Sequence, residues 1–200
     1  MQRVVSIRHC REAVTRVETF RMNDDRLPSP RPPPADAGDG ARPLPPSAQK
    51  VADALRRAGI AAEVRVLADS ARTAQEAASA LGIVVGQIAK SLVFKGATSG
   101  KAVLVIAAGD NRVDEAKLAA LIGEAITRAD AAFVRDATGY AIGGIPPIGH
   151  ATAMRIFVDE TLARFPIVWA AAGTPHAVFP IAPSELFRVS RGRVADVKQD

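Results

Sequence analysis

Four glycines, two adjacent prolines and a histidine fall within Gly139-Tyr140-Ala141-Ile142-Gly143-Gly144-Ile145-Pro146-Pro147-Ile148-Gly149-His150. No other stretch constrains the fold as strongly. Gly143 and Gly144 can take φ > 0 and let another backbone or a ligand approach closely. Pro146 and Pro147 fix φ and hold Ile145 and Pro146 extended. The segment is therefore a rigid loop of preset shape rather than a linker. A phosphate cradle would need a helix to open directly after the glycines, whereas Ala151 to Val158 reads as a short loop and then a strand. Two readings stay open: the wall of a pocket, or a tight turn between strands that needs glycine for its geometry.

The sequence around this loop punctuates itself. Ser47 is expected to cap a helix to about Ala58, stopped by Gly59, with Val51, Ala54, Leu55 and Ala58 as its apolar stripe. A strand is expected at Ala62 to Leu67. Thr73-Ala74-Gln75-Glu76 is a capping box opening a helix that ends at Gly82. Ile88 to Lys95 and Ala102 to Ala107 read as strands joined by a Gly96 to Gly100 turn. Asp114 and Asp130 each open a helix, ending at Leu121 and Thr138. Arg155 to Val158 reads as a strand, and Asp159 caps a short helix. Ile167 to Ala171 and Ala177 to Ile181 are strands bracketing Gly173 to His176. Pro183 to Val189 is a last helical turn and Val194 to Val197 an edge strand. Strands outnumber parallel crossovers, so the fold class is α/β in the α+β sense: a mixed, curved or barrel-like sheet with peripheral helices. No internal repeat is visible.

Eight of the 14 prolines lie between Pro28 and Pro46, among few large apolar residues. Such a tract is expected to be disordered. Residues 1–46 are accordingly read as a dispensable leader and residues 47–200 as one folded domain. Upstream, Val4 to Phe20 mixes regularly spaced arginines with apolar positions, but Glu12 and Glu18 argue against a transit peptide. Met22-Asn23-Asp24-Asp25 opens a plain polar leader, and translation is expected to start at Met22.

No apolar run approaches the roughly 18 residues of a membrane span, and no secretory signal is apparent, so the expected compartment is the cytoplasm, with no membrane partner. Cys10, the single cysteine, rules out an internal disulfide framework and a multi-cysteine zinc site. His9, His150 and His176 are too dispersed for metal ligation, and neither metal nor cofactor is expected. Residues 1–46 hold eight Lys+Arg and six Asp+Glu, which leaves 18 and 15 for the remaining 154 residues. That mild excess does not suit a grip on long duplex DNA; any contact with nucleic acid must be local.

One charge stands out. Lys90 sits in Gln87-Ile88-Ala89-Lys90-Ser91-Leu92-Val93-Phe94-Lys95, where alternation puts it on one face with Ile88, Leu92 and Phe94. On a buried face its ammonium must find an anion or an opening to water. The plainer reading is a lysine snorkelling from a strand end. Lys95 and Lys101, near the turn, read as solvated charges.

Together, Leu81-Gly82 with Gln87 to Leu92, Gly109-Asp110-Asn111-Arg112-Val113-Asp114, Gly143 to His150 and Ala172-Gly173-Thr174-Pro175-His176 resemble the YbaK and ProX family, free-standing relatives of the editing domain inserted in bacterial prolyl-tRNA synthetases. The resemblance runs from about Ser47 to Val197 and uses several motifs in order. It implies a YbaK-like fold and an aminoacyl-tRNA deacylase acting in trans on mischarged tRNA. It also implies an essential lysine at Lys90 and a pocket shaped by the loop Gly143 to Pro147. The implied partners are the acceptor end of a mischarged tRNA and, through the relationship, prolyl-tRNA synthetase.

The residues present suit that chemistry. An aminoacyl ester is already activated, so hydrolysis needs a positioned water and a charge opposite the developing oxyanion or a nearby phosphate. A Ser-His-acid arrangement cannot be argued from Ser91 and the dispersed histidines. Lys90 is the expected electrostatic group, with backbone groups of Gly143 and Gly144 holding the carbonyl or water and the ribose 2′-hydroxyl assisting proton transfer. Lys90 and Gly144 are thus the candidate catalytic positions. Gly143, Ile145, Pro146, Pro147, His150, His176 and Ser91 are the candidate substrate-binding positions. His150 and His176 are either acid/base groups or loop anchors, and anchoring is favoured. Asp159 reads as a helix cap; Asp110, Asn111 and Arg112 either meet the acceptor stem or cap. Ile142, Ile145, Ile148, Val84 and Val85 are expected to form a small apolar pocket for a short side chain. The identity of that amino acid is left open, because one methylene changes binding by only about 1 to 3 kcal/mol. Proline tRNA is favoured by the resemblance alone. A non-catalytic tRNA- or synthetase-binding module and a small-molecule-binding protein remain as alternatives. Lys90 favours the enzyme, because an idle module has less reason to hold a desolvated cation.

Overall fold

Residues 102–108, Ala-Val-Leu-Val-Ile-Ala-Ala, carry no polar side chain, and a strand of that kind must be covered on both faces. The computed structural model, which describes residues 43–68, 71 and 73–200, places it at the centre of a mixed sheet. The strands are β1 (Arg65–Val66), β2 (Ile88–Gly96), β3 (Ala102–Ala108), β4 (Ile126–Arg128), β5 (Arg155–Asp159), β6 (Val168–Ala171), β7 (Ala177–Ile181) and β8 (Arg193–Ala195). Their order is β1-β7-β6-β2-β3-β5-β8, with β4 branching off β2. The β2–β3 hairpin is antiparallel with Lys90 opposite Ala107, while β2·β6, β3·β5 and β5·β8 are parallel.

Among the described residues five helices flank the sheet: α1 (Pro46–Arg57), α2 (Ala74–Leu81), α3 (Glu115–Ile122), α4 (Ala131–Thr138) and α5 (Pro183–Ser190). The alternation of β3 divides the core. Leu104, Ile106 and Ala108 point into a cluster with Val51 and Leu55 of α1, Leu186 of α5, and Tyr140 and Ile145 of the glycine loop. Val103, Val105 and Ala107 point the other way, onto Leu118 and Ile122 of α3, with Phe94 and Val197. A third cluster holds α2 against Ile88 and Trp169.

Local signals explain most boundaries. The Thr73 hydroxyl accepts from the Glu76 N–H at 3.1 Å and Glu76 accepts from the Thr73 N–H at 3.1 Å, a complete capping box, worth about 1 kcal/mol. Asp114 and Asp130 cap α3 and α4 as expected. Three boundaries differ from expectation. The N-cap of α1 is Pro45, with no side-chain cap, rather than Ser47; Pro46 occupies the first helical position, where proline's fixed φ suits the helix and its missing N–H costs nothing. The strand expected at 62–67 shrinks to Arg65–Val66, because only these two residues pair with β7. β4 was not anticipated, since three residues are too few to show alternation. Of the leader read as residues 1–46, residues 1–42, Met22 among them, lie outside the described residues, and Pro46 already belongs to α1. No helix among the described residues is long and apolar enough to cross a membrane.

Candidate active site

β2 is paired unevenly. On the edge away from β3 it meets β6 at Ile88 and Ala89 and β4 at Phe94, Lys95 and Gly96. Between them, Lys90 to Val93 have no strand partner on that edge among the described residues. A cavity of about 840 Å³ lies against this gap, walled by Lys90, Ser91, Asn111, Arg128, Ile142 and Ile145 among others.

The Lys90 side chain resolves its partial burial by reaching the turn after β3, where Nζ donates to the Gly109 carbonyl at 3.0 Å and the Asn111 carbonyl at 2.5 Å. Both partners are neutral, so the positive charge is hydrogen-bonded without being cancelled. Burial pushes the ammonium's pKa below the ordinary lysine value; Asp110 and Asp159 pull it back up, and Arg112 pushes it further down. The cation is thus partly desolvated, tethered and placed at a cavity.

Asn111 is itself fixed. Its Nδ2 donates to Asp159 Oδ2 and to Thr161 Oγ1, both at 2.8 Å. Asp159 is fully buried, accepts from the Ala108 N–H at 3.1 Å and caps the 3-10 turn Glu160–Arg164 through the Thr161 N–H at 2.9 Å. The cap reading of Asp159 is therefore incomplete. The same carboxylate also ties the end of β3 to Asn111, and so sets the carbonyl that holds Lys90.

The glycine loop reaches the cavity through two side chains, Ile142 and Ile145. Gly143 has φ +88° as anticipated, but Gly144 does not take positive φ. What Gly144 requires is space: a Cβ there would stand 2.7 Å from the Thr174 Cα and 2.8 Å from its N and C atoms. Its N–H donates to the Ala141 carbonyl at 3.0 Å and its carbonyl accepts from the Gly173 N–H at 2.9 Å. The donor expected to hold a substrate carbonyl is therefore already engaged, and Gly144 clamps this loop to the Gly173-Thr174-Pro175-His176 turn. Pro146 and Pro147 are buried behind the wall. His150 Nε2–H donates to the Pro146 carbonyl at 2.7 Å. Burial lowers its pKa, opposed by that hydrogen bond, so it fastens the loop as a neutral ring. His176 contributes its backbone, its carbonyl accepting from the Leu67 N–H at 2.6 Å, while the residue is exposed.

Of the sequence-predicted positions, Lys90, Ser91 and Ile145 line the cavity. Gly143, Gly144, Pro146, Pro147, His150 and His176 do not, and build or brace the loops around it. Three expected pocket residues are elsewhere. Val84 is 59% exposed and Val85 packs on the α2 cluster. Ile148 packs on the main core instead. Sequence reasoning missed Arg128, which sits on the unanticipated β4, and Gln199, which no local pattern marks. Arg112 and Arg128 form no ion pair among the described residues, and with Lys90 they outnumber the carboxylates of the lining, Asp114 and Glu115.

Comparison with known proteins bears on this arrangement. Residues 68–189 match the model of the aminoacyl-tRNA editing domain. The uncharacterized protein YwhH of Bacillus subtilis (strain 168) is 33% identical over 132 residues, covering 66% of this chain and 83% of YwhH. A proposed Cys-tRNA(Pro)/Cys-tRNA(Cys) deacylase, EbsC of Enterococcus faecalis (strain ATCC 700802 / V583), is 29% identical over 128 residues, 62% of this chain and 76% of EbsC. The crystal structure of a proposed trans-editing enzyme for prolyl tRNA synthetase superposes with a TM-score of 0.75 at 46% identity, covering 79% of this chain and all of the other. With the family model spanning more than half of the sequence and the mixed sheet matching that neighbour, this chain belongs to the aminoacyl-tRNA editing domain family.

Proposed function

We propose that this protein hydrolyses, in trans, the ester of a mischarged aminoacyl-tRNA carrying a small amino acid, with proline tRNA as its carrier and prolyl-tRNA synthetase as the enzyme whose errors it clears. The observation that carries this reading is Lys90: a partly desolvated ammonium, tethered by two neutral carbonyls, at the wall of a cavity of about 840 Å³. A cation held this way attracts a developing oxyanion or a terminal phosphate and needs little reorganisation to do so. Ile142 and Ile145 supply an apolar wall for a short side chain. The ester is activated by its ribose leaving group, so water held in line and the neighbouring 2′-hydroxyl complete the reaction without a protein nucleophile. Membership of the editing family and likeness to EbsC and to the trans-editing structure support the same reading.

The test is a deacylation panel: the full chain mixed with tRNAs charged with alanine, serine, threonine, cysteine or another small amino acid, on proline tRNA and on the cognate tRNA of each, scored for ester loss. Loss on proline tRNA with one small amino acid is expected. Ester retained throughout, with tight binding of uncharged tRNA, would replace this reading with a non-catalytic module.

A further inference from the structure

Residues 196–200 are bound to the rest of the fold at every step. Val197 is fully buried against α3 and β3. Its carbonyl accepts from the Asp114 N–H at 2.8 Å, and the Gln199 N–H donates to the Arg112 carbonyl at 2.8 Å. Val113 and Lys198 form an antiparallel bridge. Lys117, on α3, then closes over the segment: its Nζ donates to Asp196 Oδ2 at 2.9 Å, the Lys198 carbonyl at 3.0 Å and Asp200 Oδ1 at 2.9 Å. An ammonium has three hydrogens, and here each has an oxygen. The hydrogen bonds that Lys117 donates to the two carboxylates raise its pKa, so the clasp stays charged throughout the neutral range.

The clasp determines where Gln199 lies. Its main chain is paired to Arg112, the neighbour of the residue whose carbonyl holds Lys90, and Gln199 lines the same cavity as Lys90. The residue is exposed, and its carboxamide makes no hydrogen bond among the described residues. A planar group with two donors and an acceptor is thus presented at the cavity, and that pattern matches the polar groups of a nucleoside. The clasp has a second effect: Asp196 and Asp200 would repel a polyanion approaching the cavity, and Lys117 offsets one of their two charges.

Given the proposed function, which this step assumes, we infer that Gln199 is a substrate-positioning residue. Its carboxamide hydrogen-bonds a polar group of the 3′-terminal nucleoside, and the Lys117 clasp holds it in place. Gln199→Ala and Lys117→Met in the full chain test this, with two readouts: kcat and KM for the charged tRNA that the wild type clears, and Kd for an uncharged RNA hairpin ending in CCA. Gln199→Ala is expected to raise KM and Kd about 3- to 10-fold, the scale of one hydrogen bond, with kcat and Tm unchanged. Lys117→Met is expected to raise both further, with part of the excess disappearing between about 50 and about 300 mM salt, and to speed exchange of the Gln199 amide. If Lys117→Met does not fold, Gln199→Ala decides alone. Unchanged KM and Kd in folded Gln199→Ala, or a fall in kcat alone, would overturn the inference. If the wild type clears no charged tRNA yet Gln199→Ala still weakens the hairpin, the deacylase reading fails and Gln199 keeps its positioning role. A wild type that does not bind the hairpin overturns both.

Discussion

Two lysines on the same side of the sheet show how similar geometry serves opposite ends. Lys90 and Lys117 each reach several oxygens at hydrogen-bond distance, yet the partners of Lys90 are two backbone carbonyls while those of Lys117 include two carboxylates. The pKa values accordingly move apart, down at Lys90 through burial and up at Lys117 through its charged acceptors. Lys117 is neutralised and holds structure. Lys90 is anchored but not neutralised, so its charge remains available to an incoming anion. If Lys90 acts as proposed, what separates it from a structural cation such as Lys117 is the charge of what holds it, not the number of its hydrogen bonds.

The largest expected effect tests the Lys90 side of this contrast. Lys90→Ala should cut deacylation about a hundredfold, roughly 3 kcal/mol of barrier for one preorganised electrostatic contact, while thermal melting stays at or above the wild-type value because a desolvated charge is gone. A folded Lys90→Ala protein with near-normal kcat would break the comparison. Gly144→Val comes next. The Thr174 backbone leaves no room for a side chain, so the variant should lose stability and spread the two loops, lowering turnover per folded molecule about tenfold, the kind of penalty a small misplacement at a site exacts. Calorimetry and single-turnover rates on the soluble fraction separate the two losses, and a stability loss alone would make the loop a mere turn.

Alkaline pH sharpens the contrast further. With its pKa lowered, Lys90 loses its proton, and the activity that depends on it, before an ordinary lysine would. With its pKa raised, Lys117 keeps its contribution throughout that window and loses it only as pH rises through its own higher value. Deacylation, corrected for spontaneous ester loss, should therefore fall with rising pH while the protection factor of the Gln199 amide, which donates to the Arg112 carbonyl, holds once the hydroxide dependence of exchange is divided out. Protection lost together with activity would mean that both lysines titrate alike. The smallest effect lies on the acid side. His150 is held neutral by burial, so the unfolded chain binds a proton that the folded one refuses. Stability should be flat above pH of about 6.5 and decline as pH falls below it. His150→Gln should abolish that part of the slope in denaturant titrations, and an unaltered slope would free His150 from the loop-fastening role.

Much of this was readable in the residues themselves, where a signal is local. Thr73, Asp114 and Asp130 mark their helices because a cap acts within one turn. Lys90 is conspicuous because alternation exposes a charge on an apolar face. What could not be read arises between segments far apart in sequence. Gly144 needs space because of Thr174, not because of its own dihedral angles. Arg128 reaches the cavity on a strand too short to announce itself, and Gln199 arrives by pairing with Arg112. Val84 and Val85 were misplaced for the same reason: an apolar residue beside a motif looks like a pocket wall until the fold leaves it exposed, as at Val84, or packs it on a core, as at Val85.

The unpaired edge at Lys90 to Val93 has a consequence for the protein's solution behaviour. An open strand edge invites foreign strands, and extended ones seed aggregation. Among the described residues β6 and β4 stop the opening at both ends, leaving a notch of four residues, shorter than the segments that form cross-β stacks. The notch is long enough to lend backbone groups to a small visitor and too short to recruit another sheet. The fold thus keeps a vacancy in its hydrogen-bonding ladder without becoming adhesive.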